Sequence, residues 1–221
     1  MHEADMSAVV PHSFLFRYSL SVKHVDRVPR RSGKRLLNLP ASCSLPNLRE
    51  IEDTRPIGDV RLAWNRRGLG ISVVVTGRKH PPVGNIRTPE KGDGLHVWID
   101  TRNTQSVHRA SRFCHHFAIV PGEDSSAAAV ERPIARARED VKTAPSDRIP
   151  VDLHTTKTGY VLEAWLSAEV LRGFDVAESP RLGFYYHLRD TELGDQYLTV
   201  GTDFPFAHDP SLWTTLELTR D

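Results

Sequence analysis

Alternation of hydrophobic and polar residues along most of the chain predicts strands. Near the amino terminus, Phe14, Phe16, Tyr18, Leu20 and Val22 alternate with mostly polar residues, which is typical of a half-buried strand. The same period of two, or short β-branched and aromatic runs bounded by glycine and proline, marks segments 60–65, 71–76, 95–101, 113–120, 151–154, 160–166, 182–188, 196–200 and 213–218. The pattern predicts nine or ten strands and an all-β, antiparallel β-sandwich of jelly-roll type.

Three long connections interrupt the strands. Segment 24–58 holds four prolines and a basic patch, and it predicts at most one short strand. Segments 79–94 and 121–148 are expected to be loops, with a short helix after Pro133 suggested by the spacing of Ile134, Ala137 and Val141. Ser167 is placed to cap one or two further helical turns. We expect one domain over residues 1–221, in which 1–58 supply a strand and a long connection and 59–221 form the core.

Composition narrows the class of protein. The 221 residues carry 29 Lys and Arg against 28 Asp and Glu, so the net charge of +1 provides no field to recruit nucleic acid or an anionic membrane. The apolar runs are too short to span a bilayer. Two cysteines, Cys43 and Cys114, and the absence of a secretory leader pattern favour a cytoplasmic protein with reduced thiols.

Six short motifs occur in an order that resembles a known family. They read DVRLAWNRRGLGISVVV, KGDGLHVWIDTRN, FCHHFAIV, GYVLEAWLSAEVL, RLGFYYHLRD and DPSLWTTLEL, and they cover residues 59–221. This order is similar to that of family 9 carbohydrate-binding modules and of the wider DOMON-like β-sandwich domains. The resemblance implies a jelly-roll-like sandwich that binds a saccharide without catalysis.

The resemblance also implies where a sugar would bind. Members of the family hold the sugar between two tryptophan side chains, because electron-rich rings attract sugar C–H bonds. The matching positions in this chain are Glu90 and Ala207, so both tryptophans are absent, and Phe206 is the candidate to replace one of them. His96, Cys114 and His116 stand where sugar-binding relatives place polar residues that bind hydroxyl groups.

Strand alternation independently predicts a ligand-facing surface. If the apolar residues of segments 95–101, 113–120 and 182–188 face the core, the opposite face carries polar and aromatic side chains. That face is expected to hold His96, Trp98, Asp100, Cys114, His116, Tyr185, His187 and Arg189.

Three interpretations of this face remain open. It is a solvated surface of a structural or interaction protein with a vestigial ligand face; it is a saccharide or small-ligand site with Trp98 and Tyr185 as platforms; or it is a metal site. In the last case His96, Cys114, His116 and His187 would bind zinc, since imidazole and thiolate suit that ion. Histidines with ordinary pKa values would also make ligand affinity change between pH 5 and 8.

Catalytic motifs are lacking in the sequence. There is no nucleophile elbow, no H-E-x-x-H, no C-x-x-C and no phosphate-binding glycine loop. Glu163 lies in an apolar strand and is expected to be structural, paired with an arginine, and Trp64, Trp165 and Trp213 are expected in the core. We therefore expect a non-catalytic module that recognises a saccharide or other small polar ligand, needs no cofactor and acts alone or through a protein partner.

Overall fold

The described part of the chain folds around one sheet of eleven strands. The computed structural model describes residues 15–30, 33–50, 54–122 and 126–220. The strands are β1 (Ser19–His24), β2 (Gly58–Asn65), β3 (Gly68–Thr76), β4 (Gly94–Asp100), β5 (Cys114–Pro121), β6 (Ala127–Arg132), β7 (Val151–Thr156), β8 (Gly159–Ser167), β9 (Arg181–Asp190), β10 (Gly194–Tyr197) and β11 (Thr214–Thr219). Within these ranges, short 3-10 turns at Ala41–Cys43, Ser146–Arg148 and Pro210–Leu212 interrupt the loops. In the described ranges no helix is long and apolar enough to cross a membrane.

The sheet curls until its two ends approach each other. The strand order is β6-β5-β4-β9-β11-β1-β2-β3-β8-β7, with β10 beside β9, and the end strands β6 and β7 lie close together. The result is sandwich-like and nearly closed, which confirms the all-β prediction. Strand β1 is an exception to the antiparallel expectation, because it runs parallel to both β11 and β2. The Trp64 Nε1–H helps hold that arrangement by donating to the carbonyls of Val22 and Thr219 at 2.9 and 3.2 Å.

Two apolar clusters pack against the sheet. The larger one includes Trp64 and Trp213 and extends to Trp98, while Trp165 belongs to a smaller cluster with residues of segment 25–43. All three tryptophans are buried, as predicted. Cys43 and Cys114 are buried free thiols.

Glu163 anchors segment 25–43 to the sheet. Its carboxylate is buried, pairs with Arg35 at 3.2 Å, and accepts the backbone N–H groups of Leu37 and Asn38 at 3.0 and 2.8 Å. A buried carboxylate requires such partners, since it has left water behind. The predicted structural role with an arginine partner is confirmed.

Several predicted elements differ from the structure. Residues 127–132, expected to lie in a loop, form β6, and no helix follows Pro133. The alanines of β6 have low strand propensity, but they pair with β5 and close the edge of the core. Strand β1 begins only at Ser19, so Phe16 is exposed rather than on a buried face, and Phe14 lies outside the described residues. The segment after Ser167 makes a single turn, in which Ser167 O accepts from Val170 and Leu171.

Candidate functional site

Strands β5, β4, β9 and β10 bring the predicted face together. Trp98 on β4 lies opposite His116 on β5 and Tyr185 on β9, so these three side chains form one row across the sheet. His96 lies opposite His187 in the next row, and Tyr197 on β10 extends that row by pairing with His187. The face assignment made from alternation is therefore correct for these strands.

Three imidazoles converge on this face. His96 Nδ1 lies 3.2 Å from His116 Nε2, and the ring centroids of His96 and His187 are 6.0 Å apart. His96 Nε2 lies 3.3 Å from the carbonyl of Pro89 and must donate to it, because a carbonyl only accepts. In the neutral state His96 Nδ1 is then an acceptor, and the proton between the two rings is on His116 Nε2.

Burial keeps these rings neutral. The pKa of His96 is lowered to about 4, chiefly because the ring has left water and secondarily because His187 is close. Burial, with His96 and Arg132 nearby, lowers the pKa of His116 well below its usual range. The pKa of His187 is also lowered by burial, although Asp195 at 2.7 Å partly opposes the effect. The predicted change in ligand affinity between pH 5 and 8 therefore cannot come from His96, because the pKa of this ring lies below that range.

Trp98 and Tyr185 are buried rings. They are 3% and 0% exposed, because Phe206 covers them with centroids 5.4 Å from Trp98 and 4.5 Å from Tyr185. Trp213 Nε1–H donates to the carbonyl of Phe206 at 2.8 Å and fixes the covering loop. The two rings that one of the three interpretations took as ligand platforms are therefore covered, because an apolar ring of the same chain packs against both.

Asp100 and Cys114 lie one row further along and have local roles. The Asp100 carboxylate accepts the backbone N–H groups of Arg102 and Thr104 at 2.9 and 2.6 Å, which fixes the turn after β4. Cys114 lies opposite Asp100, and its sulfur is 4.0 Å from Ser111 Oγ. Burial, with Asp100 nearby, raises the pKa of this thiol to about 12, so it is a protonated side chain at neutral pH.

The predicted zinc ligands are thus only partly brought together. Three imidazoles meet, while Cys114 is in a different row and hydrogen-bonds to none of them in the described part of the chain. Among the described residues, no three His, Cys, Asp or Glu side chains are grouped so as to hold a metal ion.

The accessible part of the face is its rim. His187 and Arg189 on β9 and Tyr197 on β10 are partly exposed, and Asp195 is exposed. The rings of His187 and Tyr197 stack at 4.4 Å with an interplanar angle of 11°. Glu90 is exposed on the loop that carries Pro89. These side chains present a ring surface beside charged groups.

Sequence reasoning missed three residues of the rim. Tyr197 and Asp195 lie on β10, and Arg132 lies on β6 opposite His116. Alternation within segment 196–200 was the available signal for Tyr197. No sequence signal identified Arg132, because its strand resembled a loop.

One surface cavity, of about 260 Å³, reaches the end of the face at Cys114 and Arg132. Four other cavities in the described part of the chain are not lined by His96, Trp98, Tyr185 or His187.

Comparison with known proteins shows similarity in structure only. No family model and no curated protein matches the sequence. A family 9 carbohydrate-binding module of Caldicellulosiruptor kristjanssonii in complex with cellotriose matches with a TM-score of 0.62 at 12% identity, covering 92% of this chain and 95% of that one. A complex of a family 9 module from the same organism with glucose gives 0.58 at 13% identity, covering 92% and 97%.

A third structure gives the same result. It is a protein of Bacteroides uniformis to which a carbohydrate-binding role has been assigned provisionally, with a TM-score of 0.57 at 13% identity and coverage of 92% of this chain and all of that one. The likeness thus extends over more than nine-tenths of each chain, and it reaches beyond residues 59–221, to which the sequence resemblance was confined. The chain has the fold of family 9 carbohydrate-binding modules.

Proposed function

We propose that this protein is a non-catalytic module that recognises a saccharide or another small polar ligand at the rim of the β4–β9–β10 face. The observation that carries the proposal is the fold. Two of the similar structures hold glucose or cellotriose, and the likeness covers more than nine-tenths of this chain.

The rim offers the chemistry that sugar recognition uses. Tyr197, stacked on His187, presents an aromatic surface to sugar C–H bonds. Asp195 accepts hydrogen bonds from hydroxyl groups, and Arg189 donates them. The Arg189 Nε is buried and has no hydrogen-bond partner among the described residues, so the exposed part of this side chain is left to meet a ligand.

The groups that would otherwise suggest catalysis are already engaged. His96 and His116 are neutral and bonded to each other, and Asp100 holds a backbone turn. Cys114 keeps its proton at neutral pH, whereas nucleophilic cysteines act as thiolates. These roles support recognition rather than reaction.

A titration with glucose, cellobiose and cellotriose, followed by a glycan array, tests the proposal. We expect saturable binding that is lost in Tyr197→Ala and Asp195→Ala and retained in the matched control Tyr18→Ala, whose ring is also partly exposed but lies on segment 15–18. Binding that survives both rim substitutions would place the ligand elsewhere. An array with no binder would reject saccharide recognition.

A second candidate function is that of a structural or interaction protein with a vestigial ligand face. The burial of Trp98 and Tyr185 beneath Phe206 favours it, because these rings are closed to a ligand. In that case Phe206→Ala would lower stability without producing binding of any sugar on the array.

A further inference from the structure

The nearly closed sheet leaves a seam between its end strands, β6 and β7. The two strands are not hydrogen-bonded to each other. They approach at the end near Ser146–Arg148, where the Ala144 N–H donates to Glu131 on β6 at 2.5 Å. At the other end of β7, a cavity of about 590 Å³ lies between this strand and segment 79–84.

The free edge of β7 presents backbone groups to this seam. Trp165 N–H donates to Pro150 O at 2.9 Å, and in the same register Asp152 of β7 lies opposite Glu163 of β8. In an antiparallel pair every second residue bonds to the neighbouring strand, so the even-numbered residues of β7 bond to β8. The N–H and C=O groups of Leu153 and Thr155 therefore point away from β8, and no hydrogen bond in the described part of the chain reaches them.

The cavity is built around that edge. Leu153, Thr155 and Thr156 form one wall, and the opposite side is formed by segment 79–84 and Gly122. A strand edge with unsatisfied N–H and C=O groups is a template for another extended chain. Part of the wall consists of prolines, at positions 81 and 82, which offer no competing N–H groups.

The wall opposite β7 is held in place by buried charges. Arg78 pairs with Asp93 at 3.1 Å and with Asp190, and all three side chains are buried. The Asp93 carboxylate accepts the Val83 N–H at 2.7 Å, and Val83 O accepts the Asp93 N–H at 2.8 Å. Gly84 packs so tightly that a Cβ atom would lie 2.5 Å from Pro121 O. The groove is preformed, so an incoming segment need not order this wall.

The charged side chains that line the described part of the cavity are lysines, Lys79 and Lys157. No acidic residue of the described chain lines it. Glu192 is bonded to the backbone N–H groups of Lys79 and His80 at 2.7 and 3.2 Å and is not part of the lining. A segment that carries carboxylates would be attracted to this rim.

We propose that the seam between β6 and β7 docks an extended acidic segment of another protein, which adds as a strand to the free edge of β7. The backbone of Leu153 and Thr155 supplies the pairing, and Lys79 and Lys157 select acidic side chains. The site is separate from the saccharide rim, so either proposal can fail without the other.

The test uses the ¹⁵N-labelled full-length chain and the peptide Ac-Glu-Val-Glu-Val-Glu-Val-NH2. We expect saturable shifts centred on the amides of Leu153 and Thr155. Thr155→Pro removes an outward N–H that the β7–β8 ladder does not use, and it should weaken binding about tenfold. Thr155→Val keeps that N–H and serves as the matched control, with wild-type affinity. The lysine analogue of the peptide should not bind.

A peptide-side variant keeps the test decisive if Thr155→Pro does not fold. Two versions of the peptide are N-methylated at alternate residues, so that each lacks the N–H groups along one of its two edges. The version that lacks the N–H groups facing β7 should not bind, and the other version should bind. The proposal is overturned if both methylated peptides bind equally, if Thr155→Pro and Thr155→Val bind alike, or if no peptide shifts the β7 amides. Concentration-dependent shifts of those amides without peptide would instead assign the edge to a second copy of this chain.

Discussion

The buried imidazole cluster should make the protein sensitive to mild acid. His96 is 6% exposed, and its pKa is lowered to about 4. In the unfolded chain an ordinary histidine titrates near 6.5, so unfolding takes up a proton at any pH between these values. The contribution of His96 to the free energy of unfolding is therefore complete above about pH 6.5, and it is lost progressively as the pH is lowered toward 4.

The size of the effect follows from the two pKa values. For His96 alone, lowering the pH from 7.5 to 5.0 should reduce the free energy of unfolding by about 2 kcal/mol, and by about 3.4 kcal/mol well below pH 4. His116 and His187 shift in the same direction and add to the loss. Glu131, whose pKa is lowered to about 2 by His115 and Arg172 despite its burial, acts in the same sense, but mainly below about pH 4.5, so it contributes little between pH 7.5 and 5.0.

Urea unfolding, monitored by tryptophan fluorescence at pH 7.5, 6.5, 5.5 and 5.0, measures how steeply the free energy of unfolding depends on pH. His96→Gln, which cannot titrate, should show a shallower dependence than the wild type, and His154→Gln, an exposed position on β7, should keep the wild-type slope. The reasoning is refuted if the wild-type free energy at pH 5.0 stays within about 0.5 kcal/mol of its value at pH 7.5. It is refuted equally if His96→Gln retains the full slope.

Three further predictions concern the anchors of the fold. Glu163→Ala leaves the backbone N–H groups of Leu37 and its neighbour without their acceptor and should lower the free energy of unfolding by about 3 kcal/mol in urea denaturation; a loss below about 1 kcal/mol would contradict the anchoring role. Phe206→Ala opens a cavity beside Trp98 and should cost about 3–5 kcal/mol, with increased acrylamide quenching of tryptophan fluorescence; unchanged stability would mean that the loop does not pack as described. Both cysteines should react with a thiol reagent only after unfolding, as counted by mass spectrometry, and rapid labelling of the native protein would show that Cys43 is accessible.

Strand alternation alone determined which side chains share a face. His96 and Trp98 were assigned opposite to the apolar residues of β4, and the register with His116 and His187 confirms it. The reason is local: successive side chains of a strand point to opposite faces whatever the strand packs against. The core position of Trp64 was accessible from its place in an apolar strand. The structural role of Glu163 was accessible because a carboxylate in an apolar strand needs a partner such as an arginine.

Whether that face is open or covered was decided only by tertiary structure. Phe206 comes from a loop more than a hundred residues from Trp98 in sequence, and its ring closes the surface that alternation had assigned to a ligand. Likewise, the low pKa of His96 arises from its burial in the fold and from His187 on a neighbouring strand rather than from its own segment. Strand β6 and the seam beside β7 exist because the curled sheet brings two chain-distant edges together. A period of two determines to which face of the sheet each side chain of a strand points. Closure of the sheet depends on long-range packing. For this reason only the fold shows which polar groups remain accessible.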